Sequence, residues 1–225
     1  ALLLVGCEIN EDKIAATSNN NSNTAPPASI STNTLTITPS LGKILNAKVT
    51  LKNAKTKAVL GTANTGNLGK VNFQVPKDIK DVLIEVSGGG VAKYFDEAKG
   101  EQDLPSSVTL RAAATAISDN SNVGVSVFTE AAVQHAEKQP DGLSKTENIN
   151  KANGDIGAAV GISNITQAPV LIGSNDDYKE LTDDAASAYA LQLAALVKAA
   201  SANTTGNTPA LELLNKLAAD LSDGI

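Results

Sequence analysis

The side chains able to do chemistry are few in this chain and can be weighed one by one. Of 225 residues, one is Cys (Cys7), one is His (His135) and one is Arg (Arg111), against 17 lysines. A single thiol excludes an internal disulfide framework and any zinc or iron–sulfur site built from several cysteines. A single imidazole excludes multi-histidine metal sites and rests acid–base chemistry on one position. Glu130 and Glu137 lie close to His135 in sequence, so an imidazole–carboxylate pair is the catalytic arrangement to weigh. A lone His among Ala and Val on a short helix is more often a partly buried structural residue. There is no Gly-x-Ser-x-Gly elbow to present a serine nucleophile. Asp176-Asp177 and Asp183-Asp184 flank Tyr178 and offer carboxylates of the kind that gather Ca²⁺. Calcium asks for six to eight oxygens at set spacing, and no EF-hand pattern is present. Helix N-caps and solvated loop acids account for these four residues, and the same holds for Asp96-Glu97, Glu101 and Asp103. Ser87-Gly88-Gly89-Gly90 resembles a phosphate loop only in its glycines, because the Lys-Ser/Thr and helix that must follow are missing. Strand-forming residues Val91 to Phe95 follow instead, which predicts a hairpin turn. The residues by themselves therefore predict no catalytic residue, no metal and no cofactor.

Charge narrows the partners. The net charge is −6 and the lysines are interleaved with acids, so no basic face is offered to a nucleic acid. Ala1 to Cys7 form an apolar run too short to span a bilayer, which needs about 20 residues. The run has the composition of the end of a secretory signal peptide. Leu4-Val5-Gly6-Cys7 resembles the lipobox of bacterial lipoproteins. That resemblance implies a diacylglyceryl group on the Cys7 thiol, cleavage before Cys7 and acylation of the new α-amine. Cys7 is then the lipidation site, and the membrane is the first partner. Each buried CH₂ contributes about 0.8 kcal/mol, so two or three acyl chains give a durable anchor. Glu8 stands where an Asp favours inner-membrane retention in Gram-negative lipoproteins, which points to the outer membrane. With no Met and no basic segment ahead of the apolar run, the start of the gene product is expected to precede Ala1.

The elements that must position these residues divide into a tether, a β part and a helical part. Residues 8–33 contain the polar run Thr17 to Thr24 and the segment Ala25-Pro26-Pro27-Ala28-Ser29. Such a composition has little to bury and predicts a disordered spacer. Residues 34–116 show period-two segments at Leu35–Thr38, Ala47–Lys52, Ala58–Thr62, Lys70–Val75, Val82–Val86, Val91–Phe95 and Ser107–Ala112, separated by turn signals. About seven short strands at such spacing predict a small antiparallel β-sandwich. Ala47, Val49, Leu51, Gly69 and Phe73 fall where they resemble the pattern of carboxypeptidase-regulatory-like and bacterial immunoglobulin-like modules. That resemblance implies a spacer or binding scaffold.

Residues 117–225 carry helical spacing. Thr129–Lys138 reads as a short helix. Ser144-Lys145-Thr146-Glu147 reads as a capping box opening a helix through Ile149, Ala152, Ile156 and Val160, ended by Gly161. A third helix after Thr182-Asp183-Asp184 is nearly apolar all round and is expected at the centre of a bundle. Thr208-Pro209 opens a fourth, with Leu211, Leu214, Leu217, Ala218 and Leu221 on one stripe. The layout after the tether resembles a recurrent type of bacterial surface lipoprotein, through Val86–Gly89, Tyr94–Gly100, Leu110–Ala112, Val123–Glu130, Asn148–Val160, Ala188–Leu196 and Leu217–Gly224. In similar proteins the chain continues past such an Asp-Gly, so a further segment is expected beyond Ile225. That resemblance implies no catalytic assignment.

The fold class is thus read as α+β, a small antiparallel β-sandwich followed by an Ala/Leu-rich helical bundle. The function expected is that of a lipid-anchored bacterial envelope protein, not an enzyme, with a binding, adhesion or structural role towards an envelope protein or glycan. Two alternatives remain: the accessory region of a surface hydrolase whose catalytic part follows residue 225, and a surface filament subunit that exchanges edge strands.

Overall fold

β-Branched and small residues alternating at period two build most of the strands, and alanine-rich stretches at spacing three and four build the helices. The computed structural model describes residues 31–203 and 208–223. The strands are β1 (Thr32–Pro39), β2 (Ile44–Leu45), β3 (Lys48–Asn53), β4 (Val59–Asn64), β5 (Val71–Pro76), β6 (Val82–Ser87), β7 (Lys93–Asp96), β8 (Gly100–Asp103), β9 (Thr109–Ala114) and β10 (Ser121–Val125). The helices are α1 (Val127–Glu137), α2 (Thr146–Val160), α3 (Ala185–Asn203) and α4 (Pro209–Ser222). The protein is α+β. Its strands form three sheets, of order β4-β3-β6-β9, β10-β1-β5 and β2-β7-β8.

The four-stranded sheet shows why alternation matters. On one face Val49 stands opposite Val86, Leu51 opposite Ile84, and Ile84 and Val86 opposite Ala112 and Leu110. All are buried in one cluster with Leu35 and Ile37 of β1 and Phe73 and Val75 of β5. The other face carries Glu85 opposite Arg111 and Leu83 opposite Ala113. Helix α1 packs on this second face along β9. The same apolar cluster continues through Phe128, Ala132, Ile149, Ile156 and Tyr189, so strands and helices share one core.

Several expectations are corrected. Strand β1 already starts at Thr32, inside the segment read as tether, because Thr32 and Asn33 pair with Pro76 and Val75. The pairing is not antiparallel throughout, since β10 runs parallel to β1 with Leu35 opposite Ser121. Strand β10 itself lies in the stretch read as helical. The Ser87–Gly90 run does not make a hairpin, because β6 and β7 belong to different sheets. It carries the chain across, with Gly89 N–H donating to Leu104 O at 2.8 Å and Gly89 at φ 106°. Backbone crowds Gly88, where an added Cβ would lie 2.4 Å from Leu104 O and 2.5 Å from Pro105 O. Gly88→Ala is therefore expected to cost about 1–3 kcal/mol by overpacking. Urea unfolding checks this, and an unchanged midpoint would show that the 104–105 loop gives way freely.

Among the helices, the capping box lies elsewhere than expected. Ser144 Oγ donates to Asp141 O at 2.5 Å, and α2 begins without a side-chain cap. The box belongs to α1, where Ser126 Oγ accepts from Phe128 N at 3.2 Å and Ser126 N donates to Thr129 Oγ1 at 2.8 Å. Nor is α3 the central helix. It exposes Leu191, Ala188 and Ala195 while burying Tyr189, Ala190, Leu193, Ala194 and Val197. Helix α1 occupies the centre, packed against α2, α4 and β9. Gly161 ends α2 at φ 72°, the left-handed cap expected of it.

Candidate functional site

The single His lies on the last turn of α1, where it faces a cleft of about 580 Å³ lined by Gln139, Lys151, Asp155, Ile156, Ala159 and Leu221. Its partners differ from those its sequence neighbours offered. His135 Nε2 is 3.2 Å from Asp155 Oδ2 and Nδ1 is 3.1 Å from Ser222 O. Both partners are acceptors, so whichever ring nitrogen carries a hydrogen has an oxygen to receive it. The Lys151 ammonium, 2.5 Å away, holds the Asp155 carboxyl below its usual range, and His135 adds to the effect. The cluster ties the end of α4 to α1 and α2. Lys138 strengthens it by donating to Ser222 Oγ at 2.8 Å and Asp223 Oδ1 at 2.5 Å. Cations at a helix C-terminus meet its unpaired carbonyls and the negative end of its dipole.

Glu130 and Glu137 do not reach His135, because both belong to Arg111. The guanidinium of β9 donates from Nε and Nη2 to Glu130, the shortest contact being 2.7 Å to Oε1. Its Nη1 reaches Glu137 Oε1 at 2.9 Å and Oε2 at 3.0 Å. Gln134 Nε2 adds a bond to Glu130 Oε1 at 2.9 Å. Burial opposes the guanidinium charge, but the Glu130 contact, followed by Glu137, outweighs it and raises the Arg111 pKa. The chemistry of this group is structural: a planar fork pins a helix to a sheet.

One residue of each Asp pair, Asp177 and Asp184, serves the backbone. Asp177 accepts from Gly173 N at 2.6 Å, Ser174 N at 3.1 Å and Ser174 Oγ at 2.9 Å, and these bonds, led by that of Gly173, lower its pKa. Asp184 accepts from Ser187 N at 2.7 Å and Thr182 Oγ1 at 2.5 Å at the start of α3. Asp176 pairs with Lys179 at 2.7 Å. Lys93 takes Glu101 at 3.1 Å and Asp103 at 3.3 Å on the surface. Among the described residues no three His, Cys, Asp or Glu side chains come together as a metal-ligand set. Asp96 is fully buried, its Oδ1 accepting from Ala98 N and Lys99 N and its Oδ2 from Ala210 N at 3.1 Å, which joins the β7–β8 turn to the first turn of α4.

Cys7 lies outside the described residues, as does the tether up to residue 30. Among the described residues no helix is long and apolar enough to cross a membrane. Sequence reasoning missed the Arg111 fork and the His135–Asp155 contact. A signal for the first was present: Glu130 and Glu137 are seven apart, two helical turns on one face, and the chain has one Arg to meet them. For the second there was only the Lys151–Asp155 spacing of four, which predicts a local pair and not its tertiary neighbour. Comparison with protein-family models, with curated proteins and with solved structures finds no match to this chain.

Proposed function

We propose that this chain is a lipid-anchored protein of the bacterial cell envelope, held at the outer membrane through Cys7, with a non-catalytic binding, adhesion or structural role. The observation that carries the reading is Leu4-Val5-Gly6-Cys7, whose Cys is the only one in 225 residues and is followed by a polar, Pro-containing stretch suited to a spacer. In this reading the strands make a small immunoglobulin-like sandwich of the carboxypeptidase-regulatory-like kind. Support comes from the inward rows of β1, β5, β3, β6 and β9, which meet in one apolar cluster. The helices form an Ala/Leu-rich bundle around α1, supported by its packing on α2 and α4. The contacts that Arg111, Asp177 and Asp184 make within the fold favour a scaffold, and an envelope protein or glycan is the partner such a scaffold would meet.

Anchoring is tested directly in cells expressing the protein. The native chain is expected to pellet with membranes and to incorporate a clickable fatty-acid analogue. Cys7→Ala is expected to lose the label entirely and to appear in the soluble fraction. An unlabelled native protein would end the proposal.

A further inference from the structure

Among the described residues, the buried side-chain oxygens that lack a partner are Tyr94 Oη, Glu97 Oε2 and Tyr178 Oη. All three gather around the end of β7: Tyr94 lies in that strand, Glu97 follows it, and Tyr178 borders the cluster formed by its Phe95. Native proteins leave few such atoms unpaired, and each costs free energy. Glu97 is the sharpest case, a carboxyl only 6% exposed. Glu97 follows β7, whose Asp96 and Tyr94 lie within reach of its charge; the 3₁₀ turn Asp177–Glu180 brings Tyr178 within that reach, and α3 supplies the opposing charge of Lys198. Tyr178 and Lys198 also line the groove, about 450 Å³, that separates that turn from α3.

The cover over this carboxyl is thin. Phe95, two residues earlier, packs only in a small cluster with Ile172 and Ala190, bordered by Val170, Tyr178 and Leu181 and separate from the main core. Regions with few buried apolar contacts open at low free-energy cost. We propose that Glu97 is a proton-operated latch: with its carboxyl protonated, the turn Asp177–Glu180 closes over it, and on ionisation the turn lifts and opens the Phe95–Ile172–Ala190 cluster to solvent, while α3 stays seated in the main core through Tyr189, Leu193 and Val197.

Burial raises the Glu97 pKa to about 7, and the Asp96 charge adds to this; its own backbone N–H and Lys198 pull the other way. The direction of the pH effect follows. Below the ordinary carboxyl range Glu97 is neutral whether the cover is open or closed, and the closed state loses nothing. Between that range and about 7 an open Glu97 ionises while a closed one keeps its proton, so closure weakens across this window and levels off above about 7, where both states are ionised.

Hydrogen exchange of the whole chain between pH 5 and 9, corrected for intrinsic exchange, tests the latch. Amides of 173–182 are expected to lose protection by up to about tenfold per pH unit as pH rises towards 7 and to level off above it, while those of β3 and β6 hold theirs. Glu97→Gln, neutral at every pH, is expected to keep 173–182 protected throughout. Loss of protection in Glu97→Gln with the same pH profile as the native chain would overturn the proposal, as would flat protection of 173–182 in the native chain. Should Glu97→Gln fail to fold, ¹³C titration of the native Glu97 carboxyl decides: a midpoint near 7 supports the latch, and one in the ordinary range near ~4.3 overturns it.

Discussion

Arg111→Ala is expected to lower the unfolding free energy by about 3 kcal/mol, because it leaves Glu130 as a buried carboxylate without a counter-charge, met only by the Gln134 amide. The Glu130 side chain is 7% exposed and that of Arg111 22%, whereas Glu137 is 42% exposed and adds little. Most of the loss therefore belongs to one pair. For a chain of this size it corresponds to a fall of roughly 10 °C in Tm. Arg111→Lys is expected to recover only part, since a single ammonium cannot present separate donors to both carboxylates in the geometry of the fork. Glu130→Gln in the Arg111→Ala background removes the stranded charge and is expected to restore much of the stability. Urea and thermal unfolding of the four proteins check the series. A loss below about 1 kcal/mol for Arg111→Ala would mean that the pair behaves as a surface salt bridge.

What the sequence made legible were elements whose signal is local. Helix α2 was readable because Ile149, Ala152 and Ile156 recur at three and four and Gly161 supplies a left-handed cap. Strands β3 and β6 were readable because Val49 and Leu51 alternate with Lys48, Thr50 and Lys52, and Ile84 and Val86 flank Glu85. Strand β10 was not, because Ser121-Asn122-Val123-Gly124-Val125 has a weak pattern and its partner β1 lies more than 80 residues away. The Ser144–Glu147 box satisfied the sequence rule but not the geometry. Asp141 takes φ 65° ahead of a 3₁₀ turn, and its carbonyl captures the Ser144 hydroxyl. The true box, Ser126 with Thr129, uses a hydroxyl where the usual signature has Glu or Gln. In α3 the error came from alanine. It counts as apolar in a sequence window, yet Ala188 and Ala195 face solvent at little cost. The Glu97 environment lay beyond sequence reasoning because its cover comes from residues about 80 to 100 positions later.

Phe128→Ala tests whether strands and helices unfold as one. Phe128 is fully buried and stacks on Tyr189 of α3, with ring centroids 5.9 Å apart and planes at 18°. The Tyr189 hydroxyl is 2.6 Å from Ser126 Oγ and donates to Ile165 O at 3.0 Å. One aromatic pair therefore joins the capped start of α1, the loop after α2 and the buried face of α3. Truncation removes a large side chain from a site fixed on several sides, so collapse into the cavity is limited, and the expected loss is about 3–5 kcal/mol. Combining it with Tyr189→Ala is expected to show a coupling of about 0.5–1.5 kcal/mol, the direct worth of the ring pair. The shape of the transition matters as much as its midpoint. Because α1 packs on β9 as well as on α2 and α4, weakening it is expected to shift a single cooperative transition seen equally by far-UV helix signal and by amide protection in β6. If the helix signal fell first and the β6 amides stayed protected, α1 would be a clasp on an independently stable β part, and the shared apolar cluster would not act as one core.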